Sequence, residues 1–278
     1  MNDTLVIYHG GCADGFTAAW AFKALRPAIQ AVYHPGRHGD PPPDVKDKDV
    51  YILDFSYPRE TLLRMKDDAA SLLVLDHHKT AEADLEGLPF CVFDMERSGA
   101  GITWDHLAAE GDPPPKRPWL VDVVEDRDLW RYRFGDQTRH TASYMATVPM
   151  TFDAWDDLAN GGLDAAAAKG AAIQSYIDSY GVKACQHAIF RDLGGFTVPV
   201  INIFYENCSD HVHRLCSLHP ERPFGASFYL RDNGRWQFSL RSIGDFDVSE
   251  VARKWGGGGH KNAAGFEVDT LPWEAPHT

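Results

Sequence analysis

Three short apolar runs near the N-terminus each stop at an aspartate or a histidine. Leu5-Val6-Ile7-Tyr8 runs into His9, Val50-Tyr51-Ile52-Leu53 into Asp54, and Leu72-Leu73-Val74-Leu75 into Asp76-His77-His78. A fourth run, Phe90-Cys91-Val92-Phe93, follows. Such short, nearly continuous apolar stretches mark strands buried on both faces, and the segments between them (Thr17 to Leu25, Arg59 to Ala70, Gly101 to Glu110) carry helical spacing. Strands alternating with helices predict a parallel α/β sheet. The strand C-termini of a parallel sheet share one edge, so the residues ending these runs converge although they are distant in sequence. Asp14 follows His9 closely, and Asp126 and Asp128 follow the apolar, helix-like stretch Leu120 to Val124. One aspartate after one strand is an ordinary turn former. Repeated at one sheet edge, such residues would repel or stay unpaired unless divalent cations balanced them, which points to a metal centre.

The rest of the chain divides by composition. Two triple prolines, Pro41 to Pro43 and Pro113 to Pro115, cannot lie inside helices or central strands and predict surface loops. Arg37-His38, just before the first of them, reads as part of an ordinary exposed loop, with a reach into the cleft as the alternative. An alanine-rich helical stretch from Asp164 to about Phe190, followed by Gly194-Gly195, reads as a linker. The expected organisation is an N-terminal parallel-sheet domain over residues 1–163, a linking helix and hinge over 164–195, and a smaller α/β domain over 196–278. In the last domain a strand (Val198 to Phe204) precedes a helix (Ser209 to Leu218), and two strands flank Arg231-Asp232-Asn233-Gly234, whose Asn-Gly is a hairpin signal. A helix from Val248 to Trp255, the four glycines Gly256 to Gly259 and a strand at Phe266 to Val268 complete it.

The formal charge of −13, from 27 basic and 40 acidic residues with no basic block, disfavours a surface for long nucleic acid and favours small anionic substrates bound by local cations. Five cysteines, odd in number and without a CxxC pair, argue for reduced thiols and a cytoplasmic location. No leader peptide is expected at the N-terminus, and no apolar run suits a membrane span.

Four ordered segments, Tyr8-His9-Gly10-Gly11-Cys12-Ala13-Asp14-Gly15, Leu53-Asp54-Phe55, Leu75-Asp76-His77-His78 and Asp126-Arg127-Asp128-Leu129-Trp130, resemble the motifs of the DHH phosphoesterases. Phe238 to Ser242 and Gly256-Gly257-Gly258-Gly259-His260-Lys261-Asn262-Ala263-Ala264-Gly265-Phe266 resemble the substrate-binding domain associated with that family. The resemblance spans nearly the whole chain in the right order. It implies an N-terminal DHH domain holding two divalent ions, usually manganese, bridged by Asp54. His9 would hold one ion, and Asp14, His77 and a fourth-motif aspartate the other. Asp128 is preferred for that last role over Asp126, because Asp-Leu-Trp resembles the family's aspartate-x-tryptophan form. Asp76 would be a ligand or would fix an imidazole, and His78 would face the scissile phosphate.

Cys12 departs from the pattern, standing where most relatives have an aspartate. Either it ligates, favouring zinc, iron or cobalt, or it is a bystander and a single ion is bound. The glycines Gly257, Gly258 and Gly259 would form a phosphate-binding nest of successive N–H groups, with His260 and Arg241 as charged donors. The implied activity is metal-dependent hydrolysis of phosphodiester or phosphomonoester bonds in nucleotides or short oligonucleotides. A single-strand exonuclease of the RecJ kind and a non-catalytic nucleotide-binding regulator are the alternatives. The implied partner is the nucleotide substrate, with no membrane; a homodimer is one option for assembly.

Overall fold

The computed structural model describes residues 3–204 and 208–274, so the last four residues of the expected C-terminal domain lie outside the described residues. The chain forms two compact units, Met1–Gln174 and Ser175–Thr278. The first contains β1 (Thr4–His9), α1 (Ala13–Leu25), β2 (Ala31–Gly36), β3 (Asp49–Leu53), α2 (Arg59–Asp68), β4 (Ser71–Asp76), α3 (Lys79–Asp84), β5 (Cys91–Phe93), α4 (Gly99–Ala108), α5 (Trp119–Asp128), α6 (Asp136–Met145) and α7 (Phe152–Gly161). Helix α8 (Leu163–Gln186) contains the point of division. Among the described residues, no helix is long and apolar enough to cross a membrane.

The first sheet is parallel throughout, in the order β2-β1-β3-β4-β5. The central strands β1, β3 and β4 are apolar on both faces because both faces are covered. Leu5, Ile7, Val50, Ile52, Leu72 and Val74 pack with Leu62 and Met65 of α2, while Val6, Leu53 and Leu75 pack with α1, α4 and α5 through residues such as Phe22, Leu107 and Val124. Successive residues alternate between these cores, as the two-residue period of a strand requires. The chain steps from β1 to β2 on one side and to β3 on the other, so the strand order reverses between β1 and β3, the place where open α/β sheets bind ligands beyond their strand ends. His9 closes β1 and Asp54 directly follows β3.

Strand β2 is not visible in the sequence as an apolar run. It is an edge strand carrying Pro35, paired only with β1, with Val32 65% exposed, so neither burial nor regular alternation marks it. Both proline triplets lie outside helices and strands.

The second unit contains β6 (Ile189–Asp192), β7 (Thr197–Asn202), α9 (Cys208–Leu218), β8 (Gly225–Leu230), β9 (Trp236–Arg241), α10 (Val248–Arg253), β10 (Gly258–His260) and β11 (Ala263–Val268). Its mixed sheet runs β10-β11-β9-β8-β7-β6, parallel only between β7 and β8. Val198 and Val200 face a core shared with Val248 and Val251 of α10, and Ile201 faces one shared with Val212 and Leu215 of α9. Two local expectations are corrected. The linker helix ends at Gln186, and Gly194-Gly195 is a hairpin turn rather than a hinge, with φ of 69° and 91° and with Asp192 paired to Thr197. The glycine run includes a strand rather than being a free loop: Gly258, Gly259 and His260 form edge strand β10 against β11. Glycine is needed there for close backbone approach, since a Cβ on Gly257 would sit 2.1 Å from the Gly265 carbonyl oxygen and one on Gly259 2.5 Å from that of Ala263.

Candidate metal centre

Asp54 stands at the middle of the polar cluster. It follows β3 with φ of 55°, a left-handed conformation that aspartate tolerates better than most residues and that turns the chain directly after the strand. Its carboxylate is buried and faces two groups of ligand-type side chains. Oδ2 lies 3.4 Å from His9 Nδ1, and Oδ1 lies 3.1 Å from His77 Nε2. On the first side, ligand atoms of His9, Cys12 and Asp54 lie within 4.8 Å of one another. On the second, those of Asp14, His77 and Asp128 do so, with His77 Nε2 3.7 Å from Asp14 Oδ2 and 3.6 Å from Asp128 Oδ2.

Each side chain is placed by its element. Asp14 lies in the first turn of α1, and its two oxygens accept from the backbone N–H groups of Gly99 and Ala100 at 2.6 and 3.0 Å, so the N-terminus of α4 holds this carboxylate. That contact requires Gly99, where a Cβ would lie 2.2 Å from the Asp54 Cβ. Ser98 caps α4, its side chain accepting from the Gly101 N–H. Sequence reasoning missed Ser98, Gly99 and Ala100; a serine before a small-residue helix start was the available signal.

Asp76 ends β4 and serves as an anchor. Its Oδ1 accepts from the His77 N–H at 2.8 Å and is 2.7 Å from His78 Nδ1, while its Oδ2 accepts from Ser56 Oγ at 2.5 Å. Asp76 thereby fixes the His78 imidazole, and Ser56, also missed in the sequence, completes the anchor. His38 lies in the loop after β2 and is exposed, yet its ring packs on Phe55 at 4.8 Å and meets His9 edge-on at 5.6 Å.

The two fourth-motif aspartates separate. Asp128 joins His77, whereas Asp126 spends its oxygens elsewhere: Oδ1 accepts from the Arg133 N–H at 2.8 Å, and Oδ2 from Thr138 Oγ1 at 2.5 Å and the Phe134 N–H at 3.5 Å. Asp126 ties α5 to α6 and is not brought to the centre.

In the C-terminal unit, Arg241 pairs with Ala263 on β11, and Ala263 pairs with His260 on β10. Residues paired directly across strands share a face, so Arg241 and His260 lie on one face about two strand spacings, roughly 10 Å, apart. Arg241 donates to Ser209 Oγ at 2.5 Å and to the Leu240 carbonyl, and its buried Nε carries no hydrogen bond.

The electrostatics suit cations. Burial alone would raise the Asp54 pKa, but His77 and His9 hold it below the usual carboxylate range. Burial and the charges of Asp54 and Asp128 push Asp14 well above that range, and burial raises Asp128. Although burial opposes it, Asp54 raises both His77 and His9 to about 11. Burial raises the Cys12 thiol as well. Crowded carboxylates that resist ionisation, beside an Asp54 Oδ2 that is buried without a hydrogen bond, fit divalent cations.

Residues 213–275 match the DHHA1 domain. The chain is 30% identical over 298 residues to uncharacterized protein R106 of Acanthamoeba polyphaga mimivirus, an alignment covering 97% of this chain and 69% of that protein. Its fold is similar to that of RecJ from Thermus thermophilus in complex with Mn2+, with a TM-score of 0.58 and 17% identity over 96% of this chain and 50% of that one. It is also similar to an exonuclease RecJ bound to manganese, with a TM-score of 0.54 and 18% identity over 96% and 86% of the respective chains. The chain therefore belongs to the family of the mimivirus protein R106, carries a region matching the DHHA1 domain at its C-terminal end, and shares the fold of the RecJ structures.

Proposed function

We propose that the protein is a metal-dependent phosphoesterase that hydrolyses phosphodiester or phosphomonoester bonds of nucleotides or short oligonucleotides. The observation that carries this reading is the placement of Asp54, whose two oxygens face separate ligand groups at 3.4 and 3.1 Å. His9 with Asp54 would hold one cation, and Asp14, His77 and Asp128 with Asp54 the other. Divalent cations held there by His9, Asp14, Asp54, His77 and Asp128 would supply an activated water at neutral pH and charge to offset the phosphate oxygens. His78 is held by Asp76, which raises its pKa against the lowering effect of burial, and would act as the donor to a phosphate oxygen or leaving group. Arg241 and His260 supply donors for a substrate phosphate, and the unbonded Arg241 Nε supports that role.

The net charge of −13 favours short substrates over long polyanions. The test is incubation of the full chain with Mn2+, Mg2+, Co2+ or Zn2+ and a panel of di- and trinucleotides, cyclic dinucleotides and 3′,5′-bisphosphorylated adenosine, read by mass. Product should form with at least one metal and disappear in Asp54→Ala. Tight nucleotide binding without product under every metal and pH would instead establish a binding protein, and turnover surviving Asp54→Ala would overturn the metal assignment.

A further inference from the structure

The two sides of the centre differ in donor chemistry. Around Asp14, His77 and Asp128 the donors are carboxylate oxygens and one imidazole nitrogen. Around His9, Cys12 and Asp54 they are one nitrogen, one sulfur and one oxygen.

Cys12 occupies the N-cap of α1, with φ −115° and ψ 135°, a position where serine or aspartate is favoured because a side-chain oxygen can accept from a helix N–H. Its side chain makes no capping bond. The sulfur instead lies with the His9 ring and the Asp54 carboxylate, their ligand atoms all within 4.8 Å of one another. A second observation points to a ligand at the same place. Asp54 Oδ2, the oxygen on this side, belongs to a side chain only 2% exposed and accepts no hydrogen bond. Capping is not what the cysteine does here, and the nearest unsatisfied acceptor is one that a cation would satisfy.

We propose that His9, Cys12 and Asp54 form a site selective for a thiophilic divalent cation (Zn2+, Co2+ or Fe2+), with Cys12 Sγ bound as a thiolate, while Asp14, His77 and Asp128 keep a hard cation such as Mn2+ or Mg2+. Sulfur prefers softer cations, whereas carboxylate oxygen suits manganese and magnesium. On binding, the Sγ–H bond breaks, the proton leaves to solvent and the sulfur lone pair forms the bond to the metal; a coordinating thiol is deprotonated outright. The bound thiolate carries the same charge as a carboxylate, so the centre keeps its charge balance while changing its selectivity. This inference rests on the metal centre invoked above and specifies which cation occupies one side of it.

The test uses the full chain, stripped of metal with a chelator and titrated with Co2+ alone. The wild type is expected to develop a near-ultraviolet thiolate-to-cobalt charge-transfer band. Cys12→Ser and Cys12→Asp should bind Co2+ without that band, and both residues are good N-caps, so α1 should form. In competition, Cys12→Asp should shift the preference from Zn2+ toward Mn2+ by roughly tenfold or more. X-ray absorption of the zinc-loaded wild type should show one Zn–S distance of about 2.3 Å, a result that decides the matter even if a variant misfolds. Co2+ binding with no thiolate band in the wild type, or a band that survives Cys12→Ser, overturns the inference but leaves the phosphoesterase reading standing. A Cys12-dependent band with no hydrolysis on the nucleotide panel does the reverse. A chain that binds no divalent cation removes both.

Discussion

Asp126 and Asp128 show what a residue-level reading of sequence can and cannot resolve. Both lie in the last turn of α5 within one motif, and sequence supplied only a resemblance to choose between them. Positions i and i+2 on a helix point about 200° apart, so only one of the pair can face a given site. The structure turns Asp128 toward His77 and leaves Asp126 accepting from Arg133, Phe134 and Thr138. Replacement by alanine should therefore separate them. Asp126→Ala leaves buried donors unsatisfied and should cost about 1–3 kcal/mol of stability, with metal stoichiometry unchanged. Asp128→Ala should weaken metal binding with little loss in the melting temperature of the chelated protein. Calorimetric melts with metal titrations of both variants decide this; metal loss in Asp126→Ala would refute the division. Protonation gives a second residue-scale test. Asp54 raises His9 and His77 to about 11, so at neutral pH each ring carries a proton that a cation must displace. Metal affinity should rise with pH through neutrality, about tenfold per pH unit for each proton released. Titration calorimetry in buffers of different ionisation enthalpy measures that release, and an affinity indifferent to pH would contradict it.

At the level of elements, legibility followed burial. Strands β1, β3 and β4 were readable because both faces are covered, and their terminal His9, Asp54 and Asp76 fall at the shared edge as a parallel sheet requires. Edge strands β2 and β10 were not, since Pro35 and the glycines give no apolar signal and their positions demand none. The N-terminus of α4 was missed for a different reason. Its contribution is made by backbone N–H groups, and sequence records only that the residues are small enough to let them approach. Gly99→Ala tests this contribution. A glycine-to-alanine change where the backbone permits it usually stabilises by about 0.4–1 kcal/mol. At Gly99 the new Cβ would meet the Asp54 Cβ at 2.2 Å, against a neighbour fixed to its own backbone. We expect destabilisation of about 1–3 kcal/mol by overpacking, accompanied by weaker metal binding as Asp14 loses its helix donors. Gly161→Ala, where no atom lies within 4 Å, is the control and should be neutral or stabilising. Equal effects of the two substitutions would show that the α4 contact does not support the centre.

For the molecule as a whole, the relevant quantity is the charge of −13 around a centre that, on the proposed function, would receive an anion. The attraction would be local, from bound cations, and the repulsion is spread over the whole charge of the chain. A dinucleotide entering the centre experiences mostly the local field. A long single strand also drags phosphates across acidic surface, and each one beyond the site adds repulsion without adding a contact. Salt screens the distributed repulsion, with a Debye length of about 10 Å at 0.1 M, more than it screens short contacts within a partly buried centre. The ratio of turnover on a long single strand to turnover on a dinucleotide should therefore rise as ionic strength increases from low values. Proteins that grip long nucleic acid through a basic face show the opposite trend, because salt removes their attraction. Steady-state kcat/KM for two oligonucleotides of different length, measured over a series of salt concentrations at fixed free metal, distinguishes the cases. A ratio that falls with salt would place a phosphate-tracking groove on this acidic protein and turn the substrate reading toward the polymer.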